Sequence, residues 1–173
     1  MSVLNEIKAR AEKVRDGLQT YLVRDVLMMH TSDILDLQSK QLLQGKTSSG
    51  EDIRPYYSED VKPNGRFNSR DSADRYSAWK QGISYPYSVE RNPDAPNLYV
   101  NGKFHSELGV FYNADSVEVV GASSYARRIV ERYGIKTFGL MQEYWNEIFR
   151  EHRRDAGGVH GQSGLRGDRH DIA

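Results

Sequence analysis

Histidine, serine and glutamate stand side by side at His105, Ser106 and Glu107, the residue types of a nucleophilic relay. The alternation of Phe104, Ser106, Leu108 and Val110 predicts a strand over Phe104 to Tyr112, so adjacent side chains point to opposite faces and the three cannot form one relay. Two acid pairs, Glu51-Asp52 and Glu59-Asp60, offer the carboxylates that a hydrolase of cell-wall glycans divides between acid and base roles. They lie in a polar stretch, where solvated surface acids are the simpler reading. His152, His160 and His170 are candidate metal ligands, but their spacing fits no standard zinc pattern, and they read as solvated histidines. Arg166-Gly167-Asp168 spells the integrin-binding tripeptide within a Gly/Arg/Asp-rich tail, a coincidence of composition, and Gly161-Gln162-Ser163-Gly164 lacks the spacing and preceding strand of a nucleophile elbow. No dinucleotide fingerprint, phosphate-binding loop, zinc-protease helix or calcium loop occurs. The sequence therefore assigns no catalytic residue, cofactor or metal, and a non-enzymatic protein is expected.

The elements that carry these residues are readable from periodicity. Leu4, Ile7, Ala11, Val14, Leu18 and Tyr21 recur at alternating spacings of three and four, predicting a long helix from Val3 to Met29 with Ser2 as N-cap. The apolar seam is narrow, flanked by Lys8, Arg10, Glu12, Lys13, Arg15 and Asp16, and stops at Asp25. A second helix is expected over Asp33 to Leu43, capped by Thr31 or Ser32 and supported by an Asp36–Lys40 pair, with Ile34, Leu35, Gln38 and Leu42 on one face and Gly45 at its end.

All five prolines fall within residues 45–97, an excursion expected to lack regular structure except for one helix over Asp71 to Gln81. Its tyrosines, Tyr56, Tyr57, Tyr76, Tyr85 and Tyr87, with Trp79, are the amphipathic side chains favoured at interfaces, and they also suit pinning a loop to its own core. Val117 to Val120 predicts a second strand after the turn Asn113-Ala114-Asp115-Ser116, followed by a helix from Ser123 to Tyr133 closed by Gly134. A last helix, Gly139 or Leu140 to His152, carries the wide stripe Leu140, Met141, Tyr144, Trp145, Ile148 and Phe149. The fold class is α+β: long N-terminal helices, a β-hairpin, C-terminal helices, one structural domain over residues 1–152 and a Gly-rich tail over 153–173.

Composition narrows the function classes. The chain has 173 residues, 38% of them hydrophobic, and 24 basic against 24 acidic side chains. The balance holds locally: residues 1–50 carry 7 basic and 6 acidic groups, and residues 98–150 carry 6 of each. Dedicated duplex binding normally leaves a basic surplus, so nucleic-acid recognition is disfavoured except through clustering in three dimensions. Zero cysteines exclude disulfides, thiolate metal sites and cysteine nucleophiles, and no apolar run is long enough to span a membrane.

Three segments carry a resemblance. The helical run from Ile34 to Leu43 leads into Gly45-Lys46-Thr47-Ser48-Ser49-Gly50, which resembles the helix and Gly-x-x-x-x-Gly exit of small virion proteins of tailed bacteriophages. Leu98-Tyr99-Val100-Asn101-Gly102-Lys103-Phe104 is similar to their Leu-x-x-Thr-Gly-x-Phe/Leu entry into a strand, with Asn101 in the threonine's place. Tyr125-Ala126-Arg127-Arg128-Ile129-Val130-Glu131-Arg132-Tyr133-Gly134 resembles the Tyr-Ala helix of tail-completion and neck proteins, and Phe138-Gly139-Leu140 opens the last helix as in several of them.

The resemblance implies a head–tail connector, neck or tail-completion protein, the crAss-like phage type included. It would be located in the virion after assembly in the host cytoplasm. The implied partners are sibling copies in a sixfold or twelvefold ring, the portal and other tail proteins, with genomic DNA passing the lumen without sequence-specific binding and no membrane involved. The interface candidates are Leu4, Ile7, Val14, Leu18, Tyr56, Tyr57, Tyr76, Trp79, Tyr85, Tyr87, Tyr144 and Trp145. A cellular oligomeric scaffold is the alternative, and a glycan hydrolase the least favoured one.

Overall fold

The computed structural model describes residues 3–113, 116–122 and 124–158. Among these residues, six α-helices and one antiparallel hairpin make a small α+β fold. The order is α1 (Val3–Tyr21), a π-helical turn (Leu22–Leu27), α2 (Thr31–Leu43), α3 (Arg70–Gln81), α4 (Lys103–Ser106), β1 (Leu108–Tyr112), β2 (Val117–Gly121), α5 (Ala126–Tyr133), a 3-10 turn (Ile135–Thr137) and α6 (Gln142–Gly158). Among the described residues no helix is long and apolar enough to cross a membrane. Ser2, Ser123, the centre of the hairpin turn, His160, His170 and the Arg166-Gly167-Asp168 tripeptide lie outside the described residues.

The sequence predicts one helix to Met29, but the α-helical ladder ends at Tyr21 and widens into the π turn. Val26 and Leu27 of the π turn reach the core, while Val14, Leu18 and Tyr21 of α1 stay exposed. The chain then reverses at His30, where the Thr31 hydroxyl donates to Met28 O at 2.7 Å and shares a 2.7 Å bond with the Tyr112 hydroxyl. Helix α2 therefore begins at Thr31, before the expected start, and His30 is its N-cap.

Helix α2 is the axle of the fold. Leu27, Ile34, Leu37, Val119, Leu140 and Ile148 form one apolar cluster, joining α2 to the hairpin and α6. Leu42, Ile53, Phe104 and Leu108 form a second, joining α2 to the central excursion, α4 and β1, with Ile129 and Tyr133 of α5 packed on it. Between them lie two fully buried glutamines. Gln38 accepts from the Gly139 N–H at 2.8 Å and donates to Thr137 O at 3.4 Å. Gln41 accepts from the Met141 N–H at 2.8 Å and donates to Gly139 O at 2.8 Å. The two amides pair with the backbone of residues 137–141, and α6 starts at Gln142 because residues 139–141 are held this way.

The expected strand start at Phe104 is corrected. Lys103–Ser106 is a helical turn: Gly102 sits in the left-handed region at φ 78°, the Asn101 side chain accepts from the Lys103 N–H at 3.2 Å, and the Ser106 N–H donates to Gly102 O at 2.9 Å. Only Leu108 to Tyr112 pairs with β2, in the register Leu108↔Gly121, Val110↔Val119 and Tyr112↔Val117. The expected Asp36–Lys40 pair is replaced by Tyr87, whose hydroxyl donates to Asp36 at 2.9 Å while the Lys40 ammonium lies 5.5 Å from its ring centre. Helix α3 begins one residue early, at Arg70, through a reciprocal cap in which the Ser69 and Ser72 hydroxyls accept from each other's backbone N–H.

Candidate functional site

Each of the four acids singled out in the two pairs has its own partner. Partial burial pushes the Asp52 carboxyl up, but bonds from Lys46, Tyr56 and Asn92 hold it down to about 2. The Tyr56 N–H and the Arg54 guanidinium hold Glu59 below the usual carboxylate range. Glu51 accepts from the Ser49 hydroxyl at 3.0 Å, and buried Asp60 accepts from the Arg66 N–H at 2.9 Å and from the Arg132 guanidinium. A glycosidase acid needs a carboxyl pushed upward, and Asp52 and Glu59 are pushed the other way.

His105, Ser106 and Glu107 share the α4 turn and its end, yet they face different partners. The Ser106 hydroxyl donates to Lys103 O at 2.9 Å, Glu107 lies 3.9 Å from the Lys103 ammonium, and the His105 ring lies 3.4 Å from Asn97 O. His152, expected as a solvated histidine, is part of α6, and its ring meets His30 edge-on at 5.6 Å. Among the described residues no group of three His, Cys, Asp or Glu is arranged to hold a metal ion.

Burial pushes the His105 imidazole down from 6.5 to about 4, with Lys80 adding to the effect. The neutral ring is favoured in the folded state, so its contribution is complete above pH 6.5 and is lost as pH falls toward 4. We expect denaturant unfolding to show up to about 3 kcal/mol lower stability at pH 4.5 than at pH 7.5, and His105→Gln to flatten that slope. An unchanged slope in the variant would place the acid sensitivity elsewhere.

The tyrosines of the excursion turn inward. Tyr57 is 3% exposed and meets Phe67 and Tyr76 edge-on at 6.2 and 5.1 Å. Tyr56 donates to Asp52, Tyr85 to Lys80 O, and Tyr144 of α6 to Gln44 at 3.0 Å. The Tyr56 and Tyr85 bonds close within residues 45–97, Tyr144 joins α6 to the end of α2, and Tyr87 on Asp36 ties the excursion to α2. Trp145 is half-buried against the first apolar cluster, whereas Trp79 is exposed.

Among the described residues, two apolar surfaces stand uncovered. On α1 every described side chain from Lys8 to Tyr21 is exposed, including Val14, Leu18 and Tyr21; Leu4 and Ile7 continue the same helix, in a stretch whose side chains are outside the described part. Helical phase sets Lys8 and Arg15 on one flank of this seam and Arg10 on the other, with Glu12 and Asp16 further round. The second surface is the outer face of the hairpin, where strand alternation collects Gly109, Phe111, Glu118 and Val120. Phe111 is 57% exposed, and Gly109 has no side chain to cover Val120 across the ladder. The sequence reading missed this face because it tracked the alternation of β1 without knowing which side the core would take.

Compared with known proteins, the chain matches no family model, no curated sequence and no solved structure.

Proposed function

We propose that this protein is a non-enzymatic structural subunit that assembles with copies of itself into a ring, and that the ring belongs to the head–tail connector or neck of a tailed bacteriophage. The observation that carries the reading is the exposed seam of α1, where Val14, Leu18 and Tyr21 find no cover among the described residues. A ring needs a heterologous interface, one patch of each copy meeting a different patch of the next. The α1 seam and the hairpin face supply two such patches. The basic flanks of the seam oppose pairing of two parallel α1 helices and suit a surface bearing Glu118. The choice of a phage connector rests on the resemblance of residues 34–50, 97–108 and 125–134. The helix end at Gly45 and the α5 helix closing at Gly134 are compatible with it. Six or twelve copies would leave a lumen for DNA between portal and tail, and a formally neutral chain packs side by side without large repulsion.

The interface is tested by complementation. Val14→Asp with Leu18→Asp removes one patch, and Phe111→Asp with Val120→Asp removes the other. Each variant alone should run as a monomer by mass photometry, and an equimolar mixture should form a one-to-one dimer through its single intact interface. A wild-type chain that stays monomeric at tens of micromolar, or a mixture that forms no dimer, overturns the ring. Mass spectrometry of purified particles tests the location: multiple copies per virion are expected, and absence from virions leaves the cellular scaffold.

A further inference from the structure

Five cations that are far apart in the chain converge on one cavity. Arg66 follows the Asp60 loop, Lys80 ends α3, Lys103 opens α4, and Arg128 and Arg132 lie one turn apart on α5; all line a pocket of about 450 Å³. Among the described residues no carboxylate lines it. Arg66 and Arg132 share the single carboxylate of Asp60, and Lys103 has only Glu107 at 3.9 Å. Arg128 has no carboxylate partner among the described residues. Lys80 is 1% exposed, and its ammonium donates to Tyr99 O but meets no acid among the described residues. Five positive charges thus face two carboxylates, in a chain whose net charge is zero.

The rest of the wall is aromatic and aliphatic: Tyr57, Tyr76, Tyr133 and Phe104, with Pro96 and Leu98. Tyr76 already accepts a flat cation on its face, the Arg66 guanidinium at 4.7 Å from the ring centre. Tyr125, 48% exposed, stands at the mouth beside Arg128. A volume of this size holds far more than one inorganic anion and falls in the range of small-molecule sites. Guanidinium forks match phosphate oxygens, and tyrosine rings match the π-faces of bases.

We propose that this pocket binds a nucleoside phosphate, with the phosphate on Arg128, Arg132 and Lys103 and the base against the tyrosine wall. The inference stands apart from the ring reading, since none of these residues belongs to the α1 seam or the hairpin face. Lys80 supplies the unbalanced charge beneath. Burial pushes its ammonium down to about 8, with Arg91 and Arg66 adding to the effect, so an uncompensated cation is held inside the fold near neutral pH. A bound phosphate relieves that charge. The nucleotide can come from solution or be the 5′ end of a single strand, and both present the same chemistry.

Isothermal titration of the full chain decides the matter, with adenosine 5′-monophosphate, adenosine, inorganic phosphate and a 5′-phosphorylated oligothymidylate as probes. The monophosphate should bind at least tenfold tighter than adenosine or phosphate alone, and tighter at low salt. Arg128→Gln should weaken it about tenfold, while Arg127→Gln, on the outer side of α5 and paired with Glu131, should leave it unchanged. Lys80→Met should weaken binding and raise the melting temperature together, a combination that a merely structural lysine would not give. Tighter binding of the oligonucleotide than of the monophosphate assigns the site to strand ends, and the reverse order assigns it to free nucleotide. Equal affinity for monophosphate and phosphate, an unaffected Arg128→Gln variant, or no binding by any probe at millimolar concentration overturns the proposal. The seam variants should retain binding, which separates failure here from failure of the ring.

Discussion

Replacing Gln38 or Gln41 by leucine should be among the most damaging single changes in the chain, each costing about 3–5 kcal/mol. Leucine fills nearly the same volume, so neither cavity nor overpacking explains such a loss. The cost lies in the backbone left behind. Gln38→Leu strands the Gly139 N–H and the Thr137 carbonyl, and Gln41→Leu strands the Met141 N–H and leaves Gly139 O without its donor. Each orphaned buried group costs about 1–3 kcal/mol because water cannot reach it. At about 2–4 °C per kcal/mol for a chain of this size, either variant should melt about 6–20 °C lower, and the double variant should not fold at all. The Gln→Glu changes should be nearly as severe at neutral pH, since a carboxylate accepts but cannot donate to Thr137 O from position 38 or to Gly139 O from position 41. Melting within 2 °C of wild type for Gln41→Leu would mean that residues 139–141 hold their course without α2.

These glutamines show where the sequence stops being informative. The stripe of α6, the hairpin, the helix over residues 70–81 and the ends at Gly45 and Gly134 were legible because each depends on residues adjacent in the chain, through periodicity, turn chemistry or a cap. Gln38 was readable as sharing a face with Ile34 and Leu42, but its partners lie about a hundred residues away, and no local pattern distinguishes a buried amide from a solvated one. The α4 turn was misread for the opposite reason. The alternation of Phe104, Ser106, Leu108 and Val110 is real, and the bond from the Lys103 N–H to the Asn101 side chain, with Gly102 left-handed, overrides it for the first four residues.

The cation cluster was hidden in the same way as the glutamine pairs. Its members lie in segments that are each near charge neutrality, so a count along the chain returns zero while a cavity in space gathers five. The uncovered apolar surfaces differ in legibility. The α1 seam is a spacing pattern and could be listed residue by residue, whereas exposure of Phe111 and Val120 depends on which face of a two-stranded sheet α2 and α6 happen to cover.

Gly65→Ala is the second change with a large expected effect, about 4 kcal/mol, although the residue is in a surface loop. A Cβ at this position would come within 2.0 Å of the Asp60 carbonyl carbon and 2.2 Å of the Val61 nitrogen, against backbone that cannot turn aside as a side chain would. Making room means opening the loop that closes on itself through Gly65 N–H to Val61 O, Lys62 N–H to Phe67 O and Phe67 N–H to Asp60 O. The same movement pulls the Arg66 N–H from the Asp60 carboxylate, which is 3% exposed and depends on Arg66 and Arg132 for compensation. A buried carboxylate that loses its partners is strongly destabilising, so the loss should exceed that of the hydrogen bonds alone. Thermal unfolding should fall by about 8–16 °C, and nucleotide titration at a temperature where the variant is still folded should show lost affinity, because Arg66 leaves the pocket wall. Asp60→Asn gives the control that separates the two effects: it removes the charge without adding an atom, so it should destabilise the loop while leaving the pocket more positive and its affinity for the phosphate undiminished. Should Gly65→Ala melt like the wild type, the loop would have to open freely, and Arg66 could not be a fixed part of any binding wall.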